Sequence, residues 1–250
     1  NPYMGNISHL LVPTFPTIHL PNSMLRVYPE RHEYTEIRLN GLPLMVTSHR
    51  GSSAFNLSPF QGDEADLKPT FDLSYDQEKL TPYSYSVYLD DLEMQVDFGL
   101  SFQSAAYDLK FEEDAPTYLV LNSKIGKLKW DGVAVSGYQL IENNTKVYLY
   151  LVCEQAPIRV NVLKNGLLTK ETETKGQNAC VVLYYPKGTK SVHLKYGISF
   201  IDEDQARKNM EREVAGKTVA ELQAIGRDLW NKALAKINIT GGTTDERVVF

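Results

Sequence analysis

Cysteine is scarce. Only Cys153 and Cys180 occur in 250 residues, which excludes a scaffold built on disulfides. Neither lies in a CxxC or beside a histidine, so no redox or zinc role is assigned. Both sit in apolar, strand-like runs, where buried free thiols and a single bridge are both compatible. Basic excess is missing too: 26 Lys and Arg against 31 Asp and Glu leave a formal charge of −5, so no nucleic acid partner is expected. No apolar run approaches the roughly 20 residues of a membrane-spanning helix, so no membrane span is expected. Gly-rich phosphate loops and a GxSxG nucleophile elbow are absent. Asn1-Pro2-Tyr3 has neither the basic start nor the apolar core of a secretory signal.

Tyrosine, by contrast, is plentiful, with 15 residues that concentrate in alternating runs. Tyr83-Ser84-Tyr85-Ser86-Val87-Tyr88-Leu89 and Glu93-Met94-Gln95-Val96-Asp97-Phe98-Gly99-Leu100 have the period of strands, and Asp90-Asp91 between them reads as a hairpin. Further strands are predicted at Ala106–Phe111, Tyr118–Asn122, Lys127–Trp130, Val133–Ile141, Lys146–Glu154, Arg159–Lys164, Cys180–Tyr185 and Ser191–Ile201. Turn pairs such as Asp131-Gly132 and Asn165-Gly166 punctuate them. Many short strands without intervening helices predict a mostly β chain, an antiparallel sandwich or barrel, up to about residue 201. Frequent prolines in the first seventy residues limit that stretch to short strands and irregular loops.

The pattern then changes. Asp202 with Gln205 predicts a capping box opening a helix over Glu203–Val214, ended by Gly216. Thr218 with Glu221 opens a second helix, whose apolar positions from Val219 to Ile237 share one face and which Gly241-Gly242 stops.

Candidate chemistry is sparse. Glycoside hydrolysis needs two opposed carboxylates, but the clusters Asp63-Glu64-Ala65-Asp66, Glu112-Glu113-Asp114 and Asp202-Glu203-Asp204 read as solvated or capping groups. His9 and His49 lie in Gly- or Ser-containing loops, and His49 is followed by Arg50. A histidine beside an arginine can hydrogen-bond a sugar hydroxyl; a locally bonded surface histidine is the alternative. Three Asn-X-Ser/Thr sequons occur, at Asn6, Asn143 and Asn238, and triplets this short arise by chance.

Several stretches resemble glycoside hydrolase family 92, the exo-acting α-mannosidases. Asn1-Pro2-Tyr3-Met4-Gly5 is similar to its D-P-F-I-G start, and Thr14-Phe15-Pro16 with Pro21-Asn22-Ser23-Met24 to its T-F-P-G-A…P-F-G-M stretch. Ser74-Tyr75-Asp76-Gln77-Glu78 followed by Pro82–Leu89 resembles S-H-x-x-E…P-G-Y-Y-x-V-x-L. Gly197-Ile198-Ser199, Ala206-Arg207-Lys208-Asn209-Met210 and Trp230-Asn231 with Leu234 and Ile237 repeat the family's G-I-S, A-R-x-N-L and W-N-x-x-L-x-x-I order.

The resemblance implies an antiparallel β-sandwich of the galactose-mutarotase-like supersandwich type over 1–201, two linker helices over 202–240, and at 241–250 the start of a connection to an (α/α)6 catalytic barrel absent from these residues. It implies an inverting, calcium-dependent α-mannosidase with acid, base and calcium in the barrel, so no catalytic or metal residue and no cofactor is expected in this chain. The implied partners are an α-mannoside-type glycan and the chain's own barrel, with a homodimer through an exposed domain interface as a further possibility; the implied location is periplasmic or extracellular. Loops of the sandwich contribute to the family's sugar pocket. Ser48-His49-Arg50-Gly51 resembles its T-H-L-S-G loop, which makes His49, with Arg50, the first substrate-binding candidate and His9 the second. The chain departs from the family where G-G-H-G-H is replaced by Asn6-Ile7-Ser8-His9-Leu10, and it has no tryptophan before Trp130. A non-catalytic carbohydrate-binding or structural β-sandwich is the alternative reading.

Overall fold

The computed structural model describes residues 16–31, 36–47 and 53–249. Its strands are β1 (Ile18–His19), β2 (Arg26–Val27), β3 (Arg38–Asn40), β4 (Leu42–Val46), β5 (Ser53–Gln61), β6 (Asp72–Thr81), β7 (Ser84–Leu89), β8 (Met94–Leu100), β9 (Ser104–Phe111), β10 (Thr117–Trp130), β11 (Ala134–Leu140), β12 (Lys146–Cys153), β13 (Arg159–Lys164), β14 (Leu167–Thr169), β15 (Glu173–Tyr185) and β16 (Ser191–Ser199). Three helices follow: α1 (Glu203–Glu213), α2 (Val219–Leu234) and α3 (Thr244–Val249). Every strand pairing among the described residues is antiparallel. The architecture is a β-sandwich with trailing helices, one of the two antiparallel forms that period and turn spacing predict and the one the family resemblance implies.

Strand β10 belongs to both layers. One edge pairs with β15 from Thr117 to Lys129. The other edge pairs with β5 over Thr117–Asn122 and then with β11 over Gly126–Trp130. The sheet therefore forks at Ser123–Ile125. One branch runs β4-β5-β10-β15-β13-β14, the other β11-β12-β16-β9-β8-β7-β6-β3. The two strands expected at Tyr118–Asn122 and Lys127–Trp130 are thus one strand bent through the fork.

A fork strands backbone groups that ladder pairing would satisfy. Here Gln139, only 2% exposed, supplies the partners. Its Oε1 accepts from the Phe55 N–H (2.9 Å) and the Lys124 N–H (3.1 Å), and its Nε2 donates to the Ser53 carbonyl (3.1 Å). Two glycines let the strands close up beside it. A Cβ on Gly126 would lie 2.0 Å from the Tyr138 carbonyl oxygen, and one on Gly137 1.9 Å from that of Lys127.

Between the branches lies one large core containing Leu57, Val87, Phe98, Leu121, Leu149, Val181 and Ile198. Buried tyrosines cross it. Tyr107 of β9 donates to the Pro43 carbonyl (2.9 Å) and Tyr196 of β16 to the Leu44 carbonyl (2.7 Å), so each hydroxyl finds a partner on β4.

Both cysteines are free. Burial pushes the Cys153 thiol up to about 11 and the Cys180 thiol to about 12. It also raises Tyr28 to about 12 and holds Tyr85, Tyr107 and Tyr196 well above the usual tyrosine range. All these groups hold their protons more tightly folded than unfolded. Their contribution to stability is therefore fully present below the ordinary values of 9.0 and 10.0 and is lost as pH rises toward 12. The thermal midpoint is expected to be level up to about pH 9 and to fall steeply above it, in step with tyrosinate absorbance. A midpoint still level at pH 11 would contradict this.

Helices α1 and α2 pack on the outer face of β8, β9, β12 and β16, where Met210, Val214, Val219 and Leu222 meet Ala106, Tyr150 and Val152. Gly197 and Gly99 make room. A Cβ on Gly197 would lie 2.2 Å from the Ala206 carbonyl oxygen, and one on Gly99 2.9 Å from that of Val219. Asp202 caps α1 by accepting from the Gln205 N–H (2.7 Å). The Gln205 side chain donates instead to Asn209 (2.9 Å), so only half of the expected box forms. Thr218 and Glu221 form a full capping box on α2.

Helix α2 stops not at Gly241-Gly242 but at Leu234, where its apolar side chains no longer have a surface to pack on: Leu234 and Ile237 are exposed. Helix α3 was not foreseen. Ile225, Leu234 and Ile237, expected on the buried face of α2, are exposed. No helix among the described residues is long and apolar enough to cross a membrane.

Candidate functional site

Strands β1 and β2 form a separate two-stranded ribbon in which Ile18 faces Val27 and His19 faces Arg26. Ile18 and Val27 are buried, so the alternation of a strand turns His19 and Arg26 together to the other face. The ribbon's backbone is fixed from three sides. The His19 N–H donates to the Pro82 carbonyl (2.8 Å), the Met24 and Leu25 N–H groups to the Phe102 carbonyl (3.0 and 2.9 Å), and Trp230 Nε1 of α2 to the His19 carbonyl (3.0 Å).

Between this ribbon and the end of β4 lies an open groove of about 450 Å³. Met24, Met45, Val46 and Ile141 supply an apolar floor, and Phe200, 42% exposed, an aromatic ring. His19, Arg26 and Thr47 supply the polar groups. His19 Nε2 lies 2.9 Å from the Ser23 carbonyl oxygen, which can only accept, so Nε2 carries the proton. In the neutral ring Nδ1 is then an acceptor suited to a sugar hydroxyl. No acidic residue lines the groove among the described residues.

Thr47 lies two positions before His49 and three before Arg50 in the chain. His9, His49 and Arg50, the binding residues expected from sequence, lie outside the described residues. Beyond that segment, Ser53 donates to Glu30, whose carboxylate also pairs with Lys124 Nζ at 3.1 Å. The exit of the segment is thereby tied to β10. Sequence reasoning picked out none of His19, Arg26 and Phe200 as binding residues. No motif marks them; they meet only because the ribbon folds onto the end of β4.

Other chemistry-bearing groups are committed elsewhere. Asp63 caps a turn, Glu64 pairs with Arg159, Asp114 accepts from the Gly188 N–H (2.6 Å) and Asp202 caps α1. His193 Nδ1 lies 2.7 Å from Asp108 Oδ1 and its Nε2 3.4 Å from Ser191 Oγ, a Ser/His/Asp order on paper. At 3.4 Å the hydroxyl is poorly engaged. The neighbouring His193 N–H is taken by Gln155 Oε1 (2.7 Å) and so offers Ser191 no oxyanion donor. The row Phe71, Phe60, Tyr118 and Tyr184 packs with buried Leu67 and Val120 in a small second core.

The family model of the glycosyl hydrolase family 92 N-terminal domain matches residues 1–199. The chain belongs to this family. Among solved structures, the family 92 domain is similar to the family GH92 inverting mannosidase BT2199 from Bacteroides thetaiotaomicron VPI-5482, with a TM-score of 0.85 at 22% identity, covering 97% of this chain and 36% of that one. It is also similar to the family GH92 α-mannosidase BT3965 from Bacteroides thetaiotaomicron, with a TM-score of 0.84 at 20% identity, covering 97% and 38%. The gh92 family glycosyl hydrolase ccman5 gives 0.79 at 16% identity, covering 97% and 36%. No curated protein matches the chain. The family 92 domain thus spans little more than a third of these structures' length, and the likeness establishes its fold. Among its described residues no three carboxylate, imidazole or thiol groups gather into a set that could hold a metal ion.

Proposed function

We infer that this family 92 domain forms one wall of the glycan site of a larger glycosidase and supports the domain that carries out hydrolysis, without catalysing alone. The observation that carries this reading is the groove: a fixed imidazole, a guanidinium, a hydroxyl and an exposed phenyl ring converge on it with no carboxylate among them. Those are groups that bind and orient a sugar. Inverting glycoside hydrolysis requires two carboxyl groups roughly 6.5–9.5 Å apart, and the groove's described lining has none. The acid and base then come from the rest of the protein, as would any calcium ion, for which the described residues offer no ligand set. The similar mannosidases support an α-mannoside as substrate. His49, Arg50 and His9 complete the wall in this reading, His49 and Arg50 through their position two and three residues after Thr47.

The test compares the 250-residue chain with the complete protein on an aryl α-mannoside, with and without calcium. The chain alone is expected to show no turnover. In the complete protein, His19→Ala and Phe200→Ala are expected to raise KM about tenfold or more while kcat changes less, since each removes binding rather than a reacting group. Turnover by the chain alone, or unchanged KM in both variants, would overturn the reading.

A further inference from the structure

Arg26 is set apart from the other described arginines. Arg31, Arg38, Arg159 and Arg207 pair with carboxylates, Arg212 with Glu213 and Gln103, Arg227 with Asp228, and Arg247 with the Gly242 carbonyl. Arg26 alone among them has no hydrogen bond or ion pair with a described residue. In a chain with 31 acidic and 26 basic residues, an arginine with no counter-ion among the described residues is conspicuous by charge balance. It is also not on a convex surface. It lines the groove, directly across the ribbon from His19, in a recess whose described lining contains no carboxylate. The walls therefore present the Arg26 positive charge and the Thr47 hydroxyl, beside the His19 Nδ1 acceptor, over a floor of Met24, Met45 and Val46 that repels water but accepts the carbon face of a ring.

We propose that the groove recognises an anionic sugar, one carrying a carboxylate or a phosphate, with Arg26 as the counter-ion. A guanidinium offers a planar fork of N–H donors that matches the paired oxygens of either group, and such charge-assisted pairs are stronger than neutral hydrogen bonds. Phe200 and the apolar floor hold the ring while Arg26 selects the charged substituent. The proposal rests on the glycan-site reading above and narrows it to acidic glycans.

Three probes share one ring and differ at a single carbon: mannose, mannuronate and mannose 6-phosphate. Each is titrated into the isotope-labelled 250-residue chain, which buries a hydrophobic core of its own, and followed by NMR, with inorganic phosphate and acetate as ring-free controls. At least one charged sugar is expected to bind ten or more times tighter than mannose, to shift amides of β1, β2 and Thr47, and to weaken with added salt. Whichever of the two binds tighter identifies the substituent.

Arg26→Ala should remove that preference and leave the weaker binding of the ring; Arg26→Lys should restore part of it; Phe200→Ala should weaken all three sugars alike. If mannose binds at the groove as tightly as both charged sugars, the anion proposal falls and the glycan site stands. If the ring-free anions bind as tightly as the sugars, or Arg26→Ala leaves the preference intact, the proposal also falls. If no sugar perturbs the groove, both fall. Thermal melting of each variant separates loss of binding from loss of fold.

Discussion

Gln139→Leu is expected to be the most damaging conservative substitution in this domain. The leucine nearly preserves volume and is apolar, so simple hydrophobic reasoning would call it favourable. The fork in β10 reverses that expectation. Without the amide, the Phe55 and Lys124 N–H groups and the Ser53 carbonyl lose the partner that the fork provides for them. Each buried group left unpaired costs about 1–3 kcal/mol. Relief from burying the amide itself offsets part, leaving a loss of about 3–5 kcal/mol, a large fraction of the roughly 5–15 kcal/mol that holds a domain folded. Urea denaturation should show a lower midpoint with an unchanged slope. A loss under about 1 kcal/mol would mean that water enters the fork and satisfies these groups. Glutamate is no remedy: it would accept the two N–H bonds but could not donate to Ser53 while ionised, and it would bury a charge.

Gly197→Ala should act differently, by separating two parts of the structure. The added carbon would lie 2.2 Å from the Ala206 carbonyl oxygen and 2.8 Å from the Met210 nitrogen, both helix backbone with nowhere to yield. Helix α1 must move away from β16. The buried Asn209 would then lose its 2.9 Å hydrogen bond to the Ile198 carbonyl, and Ala206, Met210 and Val214 their contact with the sheet. A loss of about 2–4 kcal/mol is expected, in line with overpacking of a close contact. Hydrogen exchange is the decisive measurement. Amides of α1 should lose protection while β9 and β16 keep theirs, since the main core lies on the opposite face of the sheet. Retained protection in α1 would show that the sheet bends instead.

How much was legible beforehand differs from element to element. The hairpin of β7 and β8 was readable because large residues recur at every second position, with Tyr85, Val87 and Leu89 buried. The helix starts were readable because Asp202 and Thr218 carry their caps in the sequence. Strand β10 was misread as two pieces, because nothing local reveals that Gln139 of β11 supplies the partners at the fork and that Gly126 and Gly137 let the strands close up beside it. The end of α2 was misplaced because Gly241-Gly242 reads as the stop, whereas the helix ends where Leu234 and Ile237 find no surface to pack on. The family was legible from ordered short motifs, and the match over residues 1–199 establishes it.

The sequence by itself determined that this is a β chain with a helical tail in family 92, because strand period, turn residues and caps are local properties that each segment carries with it. Only the tertiary structure decided where a ligand could sit. Arg26 and His19 lie seven positions apart in sequence, while Phe200 and Ile141 lie more than a hundred beyond either. They share one groove because hydrogen bonds from Trp230, and to Pro82 and Phe102, fix a four-residue ribbon against the end of β4. That Arg26 pairs with no described residue is likewise invisible in composition. Whether a charge is paired depends on what the fold brings within about 4 Å, which no local pattern encodes.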